Sequence, residues 1–200
     1  MNWYRLFIKR WKLQRLVHRT PEVRLILGSG PTSQPGWIST NIDCLDVTSA
    51  ADWRRLLGTR RATALMAEHV WEHLDETQTA LANRYCWEYL APGRSLRLAV
   101  PDGLHPSPDY IAYIRPGGTG AGADDHKVLY DYRNMTARLE STGFSVSLLE
   151  YWDETGCFHY IDWTSDNGHI DRSRRYDERN KQGTLGYTSL IVDATKSMPV

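Results

Sequence analysis

The residue types able to do chemistry fall in a few short clusters: Gly28, Ser29 and Gly30; Asp43 with Asp46; Glu68 with His69; and Asp102, His105 and His126. The glycines let main chain approach a ligand closely and take turn angles closed to other residues. An acid closing the second strand, as Asp43 is expected to do, can accept hydrogen bonds from both hydroxyls of a ribose. Asp46 is placed for an exocyclic amine of a base, a task for which Asp52 competes. His69, His105, His126 and His159 are candidates for accepting a proton, with Asp102 as an orienting carboxylate or base. Each has a plain structural alternative: aspartates form caps and turns, and His69 at a helix start can simply cap or pack.

The spacing narrows the ligand. A dinucleotide needs a third glycine and a helix N-terminus to hold its pyrophosphate, whereas Gly30 is followed by Pro31, Thr32, Ser33, Gln34, Pro35 and Gly36. No Gly-Lys-Ser/Thr run is present to cradle a triphosphate. A nucleoside cofactor without phosphates fits what is left, S-adenosylmethionine foremost. Methyl transfer from its sulfonium needs in-line placement of a nucleophile, and much of the rate comes from positioning. His69 and His73 stand at i,i+4, but in HVWEH rather than the HExxH of a zinc peptidase. No metal is therefore expected unless distant residues converge.

These residues need strand ends to carry them. Residues 23–27, 37–42, 62–67, 95–100, 144–150 and 189–194 read as strands, and residues 48–57, 70–90 and 131–142 as helices. Thr48 or Ser49 and Asp131 are the expected helix caps. Barely a dozen residues separate the first two strands, too few for the usual crossover helix, so the segment before Val23 is expected to cover that face. The alternation predicts an α/β fold: a doubly wound, mostly parallel sheet with a reversed last strand. Residues 101–127 are too long a connection to dismiss and are expected to cover a substrate. Residues 153–183 read as a solvated excursion, and within it Arg172, Arg174, Arg175 and Arg179 either contact an anionic substrate group or stay on the surface, neutralised by Asp171, Asp177 and Glu178. Tyr110, Tyr113, Tyr130, Trp152, Tyr160 and Trp163 supply an aromatic wall suited to sugars or other rings, or finish ordinary cores.

The chain has 200 residues, with 24 Lys plus Arg against 24 Asp plus Glu. Nothing global steers it to nucleic acid. Charge is uneven, however: Arg5, Lys9, Arg10, Lys12, Arg15 and Arg19 precede the first acid, Glu22. With Trp3, Phe7, Trp11 and Leu16 among them, residues 1–22 form a basic amphipathic segment before one domain over residues 23–200. That segment either docks on the domain with its basic stems along the edge or makes a peripheral membrane contact through residues 1–20. Cys44, Cys86 and Cys157 are far apart and read as free thiols. With no spanning run and no cleavable leader, a cytoplasmic location is expected. Subunit number is left open.

The segments "LILGSGP", "GWISTNID", "AEHVWEHL", "LAPGRSLRLAVPD" and "STGF" together resemble the Rossmann-like class I S-adenosylmethionine-dependent methyltransferases, especially a compact bacterial subgroup with a shortened first crossover. The resemblance implies that Gly28, Ser29 and Gly30 lie against the methionine part of the cofactor. Asp43 would then hold the ribose, Asp46 lie near the adenine, and Glu68 with His69 form the strand end below the reactive centre. It also lifts His105 and His126 as pocket residues, because the subgroup carries similar Pro-Asp and His-Lys segments. Two departures stand out: Leu25 and Ile26 replace an acid often found before the glycines, and "TSAADWRRLLGT" replaces the usual acid and Leu-Pro-Phe segment. The expected activity is methyl transfer to a small-molecule or glycan-like acceptor. A noncatalytic binding or scaffold protein retaining the fold is the alternative, and a nicotinamide-dependent dehydrogenase comes third. The transferase reading turns on two conditions: Asp43 facing the ribose, and open backbone over Gly28 and Gly30.

Overall fold

A computed structural model describes residues 3–180 and 185–198; the outer ends of the two expected segments, at residues 1–2 and 199–200, and residues 181–183 of the expected excursion lie outside them. One sheet of seven strands runs in the order β2-β1-β3-β4-β7-β5-β6. Its members are β1 (Arg24–Leu27), β2 (Ile38–Ser39), β3 (Ala64–Glu68), β4 (Ser95–Pro101), β5 (Phe144–Trp152), β6 (Phe158–Tyr160) and β7 (Ser189–Lys196). The first four are mutually parallel, while β7 is antiparallel to both β4 and β5. The doubly wound sheet with a reversed last strand is therefore present. All of β4 is buried, which explains why its apolar side chains occur on both faces.

The chain leaves β1 for β2 on one side and, later, β3 on the other. A crevice opens beyond the carboxyl ends at such a reversal. Residues 28–37 contain turns but no helix. The segment before the sheet forms α1 (Trp3–Arg19), which lies beside Ser39, Asn41 and Cys44, with Val17 fully buried and Leu13 packed on the core. Arg60 holds its C-terminus, donating to the carbonyls of Val17, Thr20 and Pro21, as a cation should at that end of a helix. Lys9 pairs with Asp43 at 2.5 Å and Arg10 donates to the Asp43 carbonyl at 2.7 Å. Trp3, Phe7 and Trp11 are left exposed. Among the described residues no helix is long and apolar enough to cross a membrane.

Two helices begin where expected. Ser49 caps α2 (Ala50–Leu57), and Asp131 caps α5 (Tyr132–Glu140) with a full capping box. The single helix expected over residues 70–90 is instead a short 3-10 turn, Trp71–His73, followed by α3 (Glu76–Tyr89). Asp75 is the reason: its carboxylate accepts the Gln78 amide and Gln78 returns a bond to the Asp75 amide, a capping box that starts a new helix there. Residues 101–127 are ordered by α4 (Pro108–Ile114) and a 3-10 turn at Ala123–Asp125. Nor are residues 153–180 merely solvated. They carry β6 and fold back so that Ile170 and Ser173 are wholly buried, and Arg97 of β4 reaches out to hold them.

Candidate functional site

Two cavities adjoin beyond the carboxyl ends of β1, β3 and β4. One is a cleft of about 480 Å³, walled by Asn41, Leu45, Asp46, Thr48, Val70 and Leu74, with Gly28 at its base. The other, of about 410 Å³, is walled by Glu72, Tyr113, His126, Arg172, Arg179 and Tyr187. His69 and His73 line both.

His69 follows β3 directly and has φ +55°, a left-handed conformation that no other described non-glycine residue adopts. Such a conformation strains a residue bearing a Cβ and is held only where the surroundings impose it. Here they do. The His69 amide donates to the Ala99 carbonyl at 2.8 Å, Nε2 lies 3.1 Å from Ser189 Oγ, and Nδ1 lies 3.2 Å from Glu72 Oε1. The ring is thus fixed between both cavities.

The geometry corrects the expected cofactor set. Asp43 lies beyond the end of β2, which stops at Ser39, and its carboxylate turns to Lys9 of α1 instead of the cleft. Asn41 takes the cleft position, with its Oδ1 accepting the Gly30 amide at 2.8 Å. Gly28 has φ +62°, but a Cβ there would meet Val70 Cγ2 at 2.6 Å, so a side chain already covers that face. Over Gly30 nothing lies within 4 Å of the corresponding position. Ser29 is buried, its amide bonded to the Thr40 carbonyl. Glu68 faces away from the cleft: its carboxylate accepts the amides of Asp171 and Arg172 at 3.2 and 2.8 Å and so anchors the returning segment. Asp46 does line the cleft, with Oδ1 accepting the amide and hydroxyl of Thr48 at 2.9 and 2.7 Å. Asp52 is occupied by the Asp46 amide and by Arg55.

The expected proton carriers divide in the same way. His126 lines the second cavity, and its Nδ1 sits 2.6 Å from the Ile114 carbonyl. His105 is elsewhere, stacked on Tyr110 with ring centroids 3.9 Å apart and against Trp152. Burial holds its pKa below the usual histidine value. His159 is exposed and paired with Asp153 at 2.6 Å. Of the aromatic wall only Tyr113 lines the second cavity. Tyr110 and Tyr130 are buried among other side chains, Trp152 bonds to Thr188, and Trp163 bonds to Glu150. Tyr187, missed in the sequence, joins Tyr113; burial pushes its phenol up to about 12. Arg172 and Arg179 also reach this cavity, whereas Arg174 packs over Tyr160 and Arg175 over Tyr176. Glu72, which the helix expected over residues 70–90 would carry in its first turn, is buried with its carboxylate at the cavity. Its signal was its place four residues beyond the end of β3.

Asp102 is a structural clamp rather than a catalytic group. It is fully buried, and its two oxygens accept the Leu104 and Trp152 amides at 3.0 and 2.8 Å, tying β4 to β5. Burial raises its pKa from 3.8 to about 6. A carboxyl whose folded value lies above its unfolded one lends stability that is complete below pH 3.8 and lost as pH rises through about 6. Relative to Asp102→Asn, the native chain should therefore lose about 2–3 kcal/mol of unfolding free energy over that window, at about 1.4 kcal/mol per unit. Urea titrations at a series of pH values measure it. A difference between the two proteins that does not vary with pH contradicts this account.

No protein-family model matches the sequence, and no curated protein does. Solved structures resemble the fold. A SAM-dependent methyltransferase from Archaeoglobus fulgidus aligns with TM-score 0.50 and 16% identity over 97% of this chain and 100% of that one. One from Thermotoga maritima aligns with TM-score 0.50 and 10% identity over 96% of each chain. An O-methyltransferase family protein from Burkholderia thailandensis gives TM-score 0.51 and 9% identity over 96% of this chain, which spans 57% of that longer one. The likeness establishes the architecture: the Rossmann-like fold found in SAM-dependent methyltransferases.

Proposed function

We propose that the chain transfers a methyl group from S-adenosylmethionine to a polar small-molecule or glycan-like acceptor. One observation carries this reading: a cleft and a second cavity meet at a single strand end, with His69 on the wall of both. A volume of about 480 Å³ lies in the range of cofactor sites, and its lining is the usual mixture of apolar wall and a few polar groups. Leu45, Val47, Val70 and Leu74 suit the faces of a purine; Asn41, Asp46 and Thr48 supply polar partners for the nucleoside. The second cavity is more polar. Arg172 and Arg179 suit a carboxylate or phosphate on the acceptor, and Tyr113 and Tyr187 offer ring faces. In the reaction the acceptor's oxygen or nitrogen attacks the methyl carbon in line as the carbon–sulfur bond breaks, releasing S-adenosylhomocysteine. His69 takes the proton that the acceptor loses.

A second reading keeps support from two contacts. Val70 covers Gly28 and Lys9 holds Asp43, as they would in a scaffold that retains the fold without the cofactor. Calorimetric titration with S-adenosylmethionine, S-adenosylhomocysteine and NAD separates the two. The first two nucleosides are expected to bind and NAD not to. Asp46→Ala should weaken both by about tenfold, the loss of roughly one hydrogen bond to a charged group. Asp43→Ala should leave them unchanged. Absence of binding by either adenosyl compound leaves only the scaffold.

A further inference from the structure

We propose that Glu72, His73 and His126 form a binding site for a divalent transition-metal ion on the wall of the second cavity. Among the described residues these three bring one ligand atom each to within 4.8 Å of one another. Metal–ligand bonds of about 2.0–2.2 Å place neighbouring ligand atoms roughly 3–4 Å apart, so a small side-chain adjustment closes the set. Distant residues converge here because the Lys127 and Val128 amides donate to the Glu72 carbonyl at 2.7 and 3.3 Å, fastening the segment that bears His126 to the turn that bears Glu72 and His73.

The Glu72 carboxylate is the independent sign of a ligand. It is 1% exposed, yet neither oxygen accepts a hydrogen bond from the described residues. His69 Nδ1 lies 3.2 Å from Oε1. A buried carboxylate without donors is costly, and a dication removes that cost. His126 is oriented for the same task. Its Nδ1 lies 2.6 Å from the Ile114 carbonyl, which can only accept, so the proton is on Nδ1 and the Nε2 lone pair is free to ligate. Metal-binding histidines are held in this way by a bond from the other ring nitrogen. His73 Nδ1 is buried without a hydrogen bond, 3.4 Å from the Asp125 carboxylate. Two imidazoles and a carboxylate select a zinc-like first-row ion over the oxygen-loving calcium or magnesium. Coordination positions left open face the cavity that holds Arg172 and Tyr187, where an anionic or hydroxyl group of an acceptor can complete them.

The site goes beyond methyl transfer and is tested without any adenosyl compound, so failure of either leaves the other standing. The full chain, stripped with a chelator and dialysed, is titrated calorimetrically with ZnCl₂ and spectroscopically with CoCl₂. One ion per chain and a visible cobalt spectrum from nitrogen and oxygen ligands are expected. His126→Ala and Glu72→Gln should each weaken zinc by about 100-fold or more, since even the groups that orient ligands are worth 10- to 100-fold. His159→Ala, which removes the exposed His159–Asp153 pair, should leave it unchanged. Circular dichroism checks that each variant is folded, and should the buried Glu72 variant unfold, His126→Ala carries the test. Folded native chain that takes up no zinc overturns the proposal, as does binding that survives His126→Ala or disappears with His159→Ala.

Discussion

Replacing Arg97 with methionine is expected to lower the unfolding free energy by about 3–5 kcal/mol, the usual cost of breaking a buried ion pair on one side. Arg97 is 2% exposed in the central strand β4. It faces its direct cross-strand neighbour Asp193 with two parallel bonds of 2.7 and 2.8 Å. Its remaining nitrogen donates to the Thr164 and Gly168 carbonyls at 2.7 Å each, and the guanidinium lies 4.6 Å from the centre of the Trp163 ring. Methionine fills the volume and leaves a half-paired carboxylate and two carbonyls without donors. Removing the charge as well, in Arg97→Met with Asp193→Leu, should recover part of the loss. The double variant should still lie about 2 kcal/mol below the native chain, because the two carbonyls remain unsatisfied. Urea unfolding measures both. A single variant as stable as the native chain would mean that the pair does not hold residues 163–168 to the sheet. Loosening that segment also frees Arg172 from its place over the second cavity, so proteolysis between residues 164 and 180 should quicken.

Arg97 also shows why part of the fold was hidden in the sequence. Within "SLRLAV" it reads as one charge in an apolar strand; its partners are 67 to 96 residues away. The returning segment it holds is polar, and nothing local distinguishes it from a solvated loop. Features set by neighbours a few residues apart were legible: the apolar strands, the Ser49 and Asp131 caps, and the reversed final strand. Asp75 carried a capping signal of the same kind, but Val70, Leu74 and Leu81 gave a helical spacing through it. The face of α3 that is buried instead presents Thr79, Ala82, Asn83 and Cys86. Thr79 bonds with Tyr130 and Asn83 accepts from Trp71, so polar residues there are interior ones, which hydropathy spacing passes over.

Strand-end reasoning puts His69 and Asp46 at the cleft wall, where both lie, and Asp43 with them, whose carboxylate turns instead to Lys9. The error is one of length. Six residues from Trp37 read as strand, whereas β2 pairs over Ile38 and Ser39 alone, and the turn that follows swings position 43 toward α1. A basic helix packed beside that turn then captures the acid, an ion pair that only the tertiary arrangement creates. Glu72 and His126 are 54 residues apart and meet through backbone bonds to the Glu72 carbonyl. No spacing rule reaches that far.

His69 brings the strained backbone and the proposed chemistry together. His69→Gly should leave the melting temperature within a few degrees of the native value, because the loss of its ring contacts is offset by relief of about 1 kcal/mol or more of left-handed strain. His69→Ala keeps the strain and loses the contacts, so it should melt below the glycine variant. Turnover, followed as S-adenosylhomocysteine released, should fall in both by about 10²- to 10⁴-fold, the range for removing a positioned proton acceptor. S-adenosylmethionine affinity should change little, since the partners proposed for the nucleoside are Asn41, Asp46 and Thr48 rather than His69. A glycine variant that turns over normally would assign the φ of +55° to packing alone. One that is stable, binds cofactor and is inactive would show that the fold tolerates strain at this residue in order to hold an imidazole between donor and acceptor.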